Sequence, residues 1–530
     1  MPEKIRKEID RMKNTPTKKD IKAALSKRES KLWKIISYAL VGIQAVLSIA
    51  AIITIVMLDM LPGNYLFAVV IIILMLLLLA FLLMVLSSKQ RKKKKKSLKI
   101  KRTAGAAISC FTSIICLFVV LILSKLISTM SGITDDKIVI ETTAVYVLAD
   151  NSAETIEDAK NYTFGYTQAF DYENTKKAFE NIKSEVGMDV VNHEYETVMD
   201  MVAGLYSGES GAIILNEAYE DILSDSKEYE NFVKETKVIY ESKTKVVVEQ
   251  DDKSDKDITK EPFIVYISGS DTRSSTLSKS RSDVNILGVV NPKTKQVLLL
   301  STPRDYYVDI SIAPGSMDKL THCGIYGIQC SMDTLGNLYN CDVNYYAQVN
   351  FNGFETLVDA VGGITVDVDK AFTSTWYSSP TGQTYSFAKG ENQLNGAKAL
   401  VFARERHAFS DGDLSRGRHQ MAVIKGLIKK MTSGAILTNY GDILDSLEGM
   451  CATDVSSNDM SEFVKMQLSE GGEWNIKSFS VSGGNSKNYT YSNPKQRSYV
   501  MTQDPEQVAK AQSLIQKVFN GDTLTDADVE

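Results

Sequence analysis

DVNILGVVNPKTKQVLLLST, Asp283 to Thr302, sets two apolar runs on either side of a short polar stretch. DVNILGVV and QVLLLST read as strands, and NPKTK between them as the turn of a β-hairpin. Outward from the hairpin, FIVYISG precedes it as another strand and ITVDVD follows as a third type of strand signal. MDTLGNLY, FNGFETLVDAVGG (stopped by Gly362 and Gly363), NGAKALVFARER, RGRHQMAVIKGLIKKM and VAKAQSLIQKVF read as helices. In the fourth of these, Met421, Ile424, Leu427 and Ile428 fall on one face. Strands mixed with helices make residues 262–520 an α/β domain. The polar 521–530, ending in DTLTDADVE, is expected to fray as a flexible tail.

The N-terminal part is of another kind. Uncharged runs of about 20 residues or more, each long enough to cross a hydrocarbon core of about 30 Å, predict three transmembrane helices at about 35–58, 65–86 and 104–126. The 1–34 tail carries twelve Lys/Arg, and the loop 89–102, KQRKKKKKSLKIKR, carries ten. The connection DMLPGN has none. The bias places the tail and the basic loop in the cytoplasm and everything beyond about Ser128 outside. The run KKKKK, squeezed between two spans, reads as a topology signal against anionic headgroups and not as a nucleic-acid patch.

Residues 1–127 hold 23 of the chain's 60 basic residues and six of its 65 acidic ones, which leaves 37 basic against 59 acidic outside. A surface with that excess of acid is a poor general binder of polyanions, so a cluster of arginines within it is a specific site. Cys110 and Cys116 lie in the third span; Cys323, Cys330, Cys341 and Cys451 lie outside, where disulfides are permitted. The close trio is expected to supply one bridge. No C-x-x-C spacing supports a thiolate metal site.

Residues 128–249 read as an accessory α/β domain: strand-like IVIETTAVYVLA, helical patterns at Tyr172–Ser184 and Tyr195–Tyr206, apolar GAIIL, helical EAYEDILSDSKEYENFV, and strand-like TKVIYESKTKVVVE. No chemical constellation is apparent there. The linker 250–261, QDDKSDKDITKE, is charged and without apolar periodicity.

Charged pairs stand at strand and helix ends of the 262–520 domain. FIVYISG leads to Asp271, Arg281 and Asp283 precede the next strand, and QVLLLST ends in Pro303, Arg304 and Asp305. RERHAFSDGDLSRGRHQ adds Arg404, Arg406, Arg416 and Gln420. Strand ends in an α/β sheet open on the crevice where ligands bind. Two carboxylates without a His/Cys set suit a hard cation such as Mg2+, which completes its shell from water and phosphates. The guanidinium fork suits phosphate oxygens. Together these residue types fit a pyrophosphate and phosphoryl transfer, which asks mostly for positioning and charge. Any one such pair on its own is ordinarily a surface ion pair worth under about 1 kcal/mol; only the joint pattern carries the reading. No G-x-S-x-G, H-E-x-x-H or P-loop motif supports another chemistry.

LLLSTPRDYYVDI, DKLTHCGIYG, YYAQVNFNGFETLVDAVGGITVDV and LNGAKALVFARERHAFSDGDLSRGRHQMAVI resemble the LytR–CpsA–Psr family of Gram-positive cell-wall proteins over about 262–520. The three spans and the accessory domain are similar to its capsule-linked members. The resemblance implies an α/β/α sandwich with a mixed sheet that holds a polyprenyl pyrophosphate lipid in a hydrophobic pocket. It implies a membrane-anchored, extracytoplasmic phosphotransferase that moves an anionic glycopolymer (capsular polysaccharide or teichoic-acid-like) onto a muramic acid hydroxyl of peptidoglycan, releasing polyprenyl phosphate. Carried onto this sequence, Asp271 and Asp283 are the metal aspartates, with Mg2+ or Mn2+ as the cation. Arg281, Arg304, Arg404, Arg406, Arg416 and Gln420 bind the pyrophosphate, and Asp283, Arg281 and Arg406 are the catalytic set, with either aspartate open as base. Arg418 is less central, and His407 and His419 are incidental. The other readings are a non-catalytic polyprenyl-phosphate-binding regulator and a scaffold of envelope polysaccharide assembly.

Overall fold

A computed structural model describes residues 18–84, 95–134, 137–248, 256–270, 279–375, 382–433 and 450–530. Three long helices open the chain: α1 (Lys18–Leu58), α2 (Gly63–Met84) and α3 (Lys95–Thr134). Their stretches Lys31–Leu58, Gly63–Met84 and Ile100–Ser128 are long and apolar enough to cross a membrane. The helices outrun the expected spans at their basic ends. Residues 18–34 of the tail and 95–102 of the basic loop are helical, because Lys and Arg are good helix formers once an apolar helix adjoins them. Ser109 Oγ donates to the Leu40 carbonyl at 3.1 Å and ties α3 to α1.

A second compact unit takes in residues 128–463 and 470–530. Its first lobe comprises β1 (Lys137–Leu148), β2 (Thr163–Thr167), α4 (Tyr172–Val186), β3 (Val191–Tyr195), α5 (Val198–Ser207), β4 (Ala212–Asn216), α6 (Glu220–Ser224), α7 (Phe232–Glu235) and β5 (Thr236–Val248). The sheet runs β3-β2-β4-β1-β5 and buries both faces. Along β1, Ala144 and Tyr146 enter one core while Val145 and Val147 enter the other, as strand alternation requires. Two expectations are corrected here. The second helix starts only at Val198, where Thr197 caps it by accepting from the Asp200 amide, because Tyr195 ends strand β3. EAYEDILSDSKEYENFV is not one helix but a 3-10 turn at Glu217–Tyr219 followed by α6 and α7. Its Ser, Asp and Asn side chains compete for backbone groups and favour caps and turns.

The second lobe comprises β6 (Phe263–Ser270), β7 (Ser282–Asn291), β8 (Gln296–Ser301), β9 (Tyr307–Asp309), β10 (Met317–Lys319), α8 (Leu320–Tyr326), α9 (Ile328–Tyr339), β11 (Tyr345–Asn350), α10 (Phe351–Ala360), β12 (Ile364–Val368), β13 (Phe372–Thr373), β14 (Ser386–Phe387), β15 (Gly390–Leu394), α11 (Gly396–Arg404), α12 (Asp413–Met431), β16 (Cys451–Thr453), α13 (Ser457–Glu470), β17 (Asn475–Ser480), β18 (Gly483–Asn488), β19 (Ser498–Gln503), α14 (Pro505–Asn520) and α15 (Asp526–Val529). The main sheet runs β16-β11-β6-β7-β8-β17, and the β7–β8 hairpin sits near its centre. β11 and β17 pair parallel to β6 and β8, while β7 and β16 pair antiparallel, so the sheet is mixed.

Alternation fixes the two layers. Leu287, Leu298 and Leu300 point into a core shared with α8, α9 and α14. Ser301, one residue on, faces the opposite side, where a Cβ on Gly417 of α12 would lie 2.9 Å from its hydroxyl. Glycine there lets α12 approach β8 without displacing the Ser301 hydroxyl. Helices therefore cover both faces, and the architecture is an α/β/α sandwich.

The C-terminal tail does not fray. Leu524 is buried in the main core, its amide donates to Gln296 Oε1 at 2.8 Å, and α15 opens with a capping box at Thr525. The pairs Lys477–Asp526 and Lys517–Asp528 hold the polar residues that made the stretch look loose. The expected disulfide is absent as well: Cys323, Cys330, Cys341 and Cys451 are free thiols. Cys323 on α8 and Cys330 on α9 meet in the core as a hydrogen-bonded thiol pair.

Candidate active site

The carboxyl ends of β6, β8, β11 and β17 and the start of β7 share one edge of the sheet. Pairing across that edge sets Gly269 opposite Val284 and Ser270 opposite Ser282, which leaves Asp283 as the extra residue of a β-bulge. The bulge turns the Asp283 side chain out of the strand's alternation. Gly269 is required opposite it, since a Cβ there would lie 2.5 Å from Val284 Cγ2. Beyond the end of β8, the turn closed by the Tyr306 amide on the Pro303 carbonyl presents Arg304 to the bulge. Arg304 Nη1 donates to Asp283 Oδ1 at 2.9 Å, with both side chains largely buried.

Burial by itself would raise the Asp283 carboxyl, but Arg304, Arg416 and Arg281 outweigh it and hold the group below the usual carboxylate range. Burial likewise works against the Arg304 charge, and Asp283 and Asp305 reverse it. On α12, Arg416 pairs with Asp413 one turn back, and Gln420 lies buried one turn on. Arg406 follows the end of α11. Its charge is opposed first by burial and then by Arg304 and Arg416, so the three guanidiniums share one space.

Arg281 points differently. It is 14% exposed and turns to the accessory lobe, where Nη1 donates to Asp225 Oδ1 at 3.1 Å and Nε stands 3.2 Å from Asp221 Oδ2. Two residues earlier, Lys279 pairs with the buried Glu141 of β1 at 2.7 Å. Asp225 also receives Lys319 Nζ at 3.1 Å, and Lys319 stands 3.4 Å from Asp305. A continuous chain of charge thus runs Asp221/Asp225, Arg281 and Lys319, Asp305, Arg304, Asp283.

Burial raises both accessory aspartates; for Asp225 the neighbouring His322, Lys319 and Arg281 outweigh it, while Asp221 stays raised. His322 is itself buried between Asp318 (2.7 Å) and Ser492 (2.8 Å). Burial opposes its charge, yet Asp318 and Asp225 raise it.

The Nε groups of Arg281 and Arg304 are buried and face carboxylates, Asp221 Oδ2 at 3.2 Å and Asp305 Oδ2 at 3.7 Å, without a well-aligned hydrogen bond among the described residues. Guanidinium donors held against carboxylates without well-aligned hydrogen bonds can exchange them for phosphate oxygens.

The structure therefore gathers Arg281, Asp283, Arg304, Arg406 and Arg416. Arg404 lies over the Phe351 ring at 4.2 Å. Asp271 lies outside the described residues. Arg418 forms an exposed pair with Asp411 at 2.5 Å, away from the cluster. His419 is packed among Phe372, Phe402 and Phe409, with ring centroids 4.3–5.3 Å away, and burial lowers it to about 4. It is a neutral wall of α12.

Sequence reading missed three contributors. Glu405 is fully buried between the two arginines of R-E-R and accepts from Thr375 Oγ1 (2.9 Å) and the amides of His407 (2.8 Å) and Ala408 (3.0 Å), fixing the turn that aims Arg406. Asp221 and Asp225 stand four residues apart in EDILSD, and that acidic pair on one helical face was the available signal.

Among the described residues no group of three or more His, Cys, Asp or Glu is arranged to hold a metal ion. Asp283 offers one ionised, hard oxygen ligand. That suits Mg2+, which takes one or two protein carboxylates and leaves the rest of its shell to water and phosphate.

The description "LytR_cpsA_psr family" belongs to a family model that matches residues 227–507, from the end of the accessory lobe through β19. The polyisoprenyl-teichoic acid–peptidoglycan teichoic acid transferase TagU of Enterococcus faecalis is 37% identical over 223 residues, 42% of this chain and 71% of that protein. TagU of Bacillus subtilis is 37% identical over 217 residues, 40% of this chain and 67% of its own length. Among solved structures, B. subtilis TagV is 26% identical with a TM-score of 0.41, over 50% of this chain and 99% of TagV. The family match covers just over half of the chain and takes in the bulged hairpin, Arg304 and both arginine segments. The chain belongs to the LytR–CpsA–Psr family.

Proposed function

We propose that this chain is a membrane-anchored phosphotransferase that moves a polyprenyl-pyrophosphate-linked anionic glycopolymer onto peptidoglycan and releases polyprenyl phosphate. The observation that carries the reading is the convergence of Arg304, Arg406 and Arg416, with Arg281 alongside, around Asp283 at one sheet edge. The relatives named for teichoic acid transfer to peptidoglycan support the substrate class. In this reading α1–α3 cross the membrane, the basic segments stay in the cytoplasm, and both lobes of the second unit work outside.

The chemistry asks little covalent work of the protein. Arg281, Arg304, Arg406 and Arg416 bind the diphosphate oxygens and orient the phosphorus that bears the sugar. A muramic acid hydroxyl oxygen attacks that phosphorus, one P–O bond forms, and the P–O bond to the bridging oxygen breaks. The bridging oxygen leaves with the polyprenyl phosphate, and the hydroxyl proton passes to solvent or a carboxylate. Asp283, held ionised by three arginines, is a weak base and acts by charge and orientation. Mg2+ bound at Asp283, with Asp271 as a second carboxylate, would supply neutralisation of the diphosphate. Transfer of labelled lipid-linked oligosaccharide to peptidoglycan is expected to fall by on the order of 100-fold or more in Arg406→Ala and Asp283→Ala. Undiminished transfer in both removes the proposal.

A further inference from the structure

Where the two lobes of the second unit meet, a cleft of about 540 Å3 is walled by Phe170 and Tyr219 from the accessory lobe and Tyr307, Tyr326, Tyr489 and Tyr491 from the other. Its volume lies in the range of small-molecule sites, about 300–1,000 Å3. The inner wall is fixed. Phe170 packs on Tyr219 at 4.7 Å and Tyr326 at 5.8 Å, and the hydroxyls of Tyr219 and Tyr307 donate to the Ser492 and Tyr489 carbonyls, both at 2.6 Å.

The outer wall is open. Tyr489 is 51% exposed and Tyr491 39%, and Tyr499 on β19, 42% exposed, continues the row. Large rings left in water on a folded surface mark a contact surface when they are contiguous. Here Arg497 lies over the Tyr489 ring at 5.3 Å, and Tyr499 pairs across β18 and β19 with Lys487, two positions before Tyr489, which brings the residues to one end of that ribbon.

The row leads to the charged site by two routes. The Met501 amide, two residues beyond Tyr499, donates to the Asp305 carbonyl at 2.8 Å. Met317 lines the cleft, and Lys319, two residues along the same strand and so on the same face, reaches Asp225 and Asp305.

Ring faces flanked by hydroxyls suit a pyranose, which has a flat apolar C–H face and a polar rim. Ser316 supplies a half-buried hydroxyl at the cleft.

We propose that the cleft and the row Tyr491, Tyr489, Tyr499 form a saccharide subsite that holds pyranose units next to the reacting phosphate. This rests on the transferase reading and adds where the sugar chain lies. The shared chemistry is a chain of pyranose rings, from either the acceptor strand or the donor polymer.

The test is saturation-transfer NMR and titration on the full chain in detergent with two soluble probes. One is an N-acetylglucosamine–N-acetylmuramic acid tetrasaccharide; the other is the saccharide cleaved from the donor used in the transfer assay. At least one probe is expected to bind, and Tyr489→Ala or Tyr491→Ala to weaken it by about tenfold each. Tyr489→Phe, which keeps the ring, should retain most of the affinity. An effect on the tetrasaccharide alone assigns the subsite to the acceptor, and on the other probe alone to the donor; either supports the proposal. Wild-type protein that transfers polymer but binds neither probe overturns the subsite and leaves the transferase reading standing. Saccharide binding that survives Tyr489→Ala/Tyr491→Ala, or an aromatic-rich peptide binding there in place of sugar, also overturns it. Glycan binding that depends on the tyrosines in a chain without transfer activity keeps the subsite and removes the transferase reading.

Discussion

Asp225→Asn removes one carboxylate charge from the accessory lobe and should be felt in the reaction through Arg281. At 3.1 Å, two unit charges attract by about 5 kcal/mol at an effective dielectric near 20 and by about 1 kcal/mol in bulk water. Arg281 is 14% exposed and Asp225 27%, so the pair sits between these limits. Desolvation and the remaining Asp221 partner reduce the gross figure, leaving a coupling of roughly 1–2 kcal/mol. If Asp225 serves to aim Arg281 at the diphosphate, that energy appears as about a five- to thirtyfold fall in kcat/KM. Arg281→Ala, which deletes the donor, should cost on the order of 100-fold or more. The cycle decides the route. In the Arg281→Ala background, Asp225→Asn should lose most of its effect, keeping only what passes through Lys319. The assay is transfer of labelled lipid-linked oligosaccharide, with thermal unfolding in parallel to confirm that each variant is folded. Unchanged kcat/KM in Asp225→Asn, or effects that simply multiply in the double variant, would refute the reasoning.

Two further outcomes follow from the same site. Because burial lowers His419 to about 4 while the unfolded chain titrates near 6.5, the unfolded state binds more protons between those values and stability falls as pH drops through them. The loss is roughly 2–3 kcal/mol at full protonation, so His419→Phe should flatten the pH dependence of Tm over that window; parallel profiles for variant and wild type would count against it. Chelation by EDTA should slow transfer at least about tenfold, Mg2+ should restore it, and Asp283→Asn should raise the Mg2+ concentration needed; full transfer in EDTA would take the cation out of the scheme.

The sandwich was legible because its signals are local. The apolar runs around NPKTK, the glycines after FNGFETLVDAV and the amphipathic RGRHQMAVIKGLIKKM each declare one element, and each element formed as read. The misreadings share a cause in long-range contact. DTLTDADVE looks polar until Leu524 meets Gln296, far back in the chain, and EDILSD reads as part of a helix without chemistry until Arg281 arrives from the other lobe. Of the site, the arginines were legible as residue types. Their convergence was not, since it depends on the bulge at Asp283 and on the glycine that lets α12 close on β8.

The electrostatics of the cluster bear on how substrate would reach it. Arg281, Lys319, Arg304, Arg406 and Arg416 meet Asp221, Asp225, Asp283, Asp305 and Asp413, so among the described residues the site is formally neutral. Around it, the residues after the third span carry 59 acidic against 37 basic side chains. A neutral site in an acidic surround does not steer a distant polyanion, because the long-range field has the wrong sign and salt screens it within about 8–10 Å. Selectivity must therefore act at contact, through oriented guanidinium forks that exchange carboxylates for phosphate oxygens. That exchange brings two negative charges of a diphosphate diester into a neutral pocket, and the added charge calls for a divalent cation or for proton uptake, for which Asp221 is already raised. A lipid-anchored donor suits such a site. Confinement of both partners to one membrane supplies the local concentration that electrostatic steering would otherwise provide.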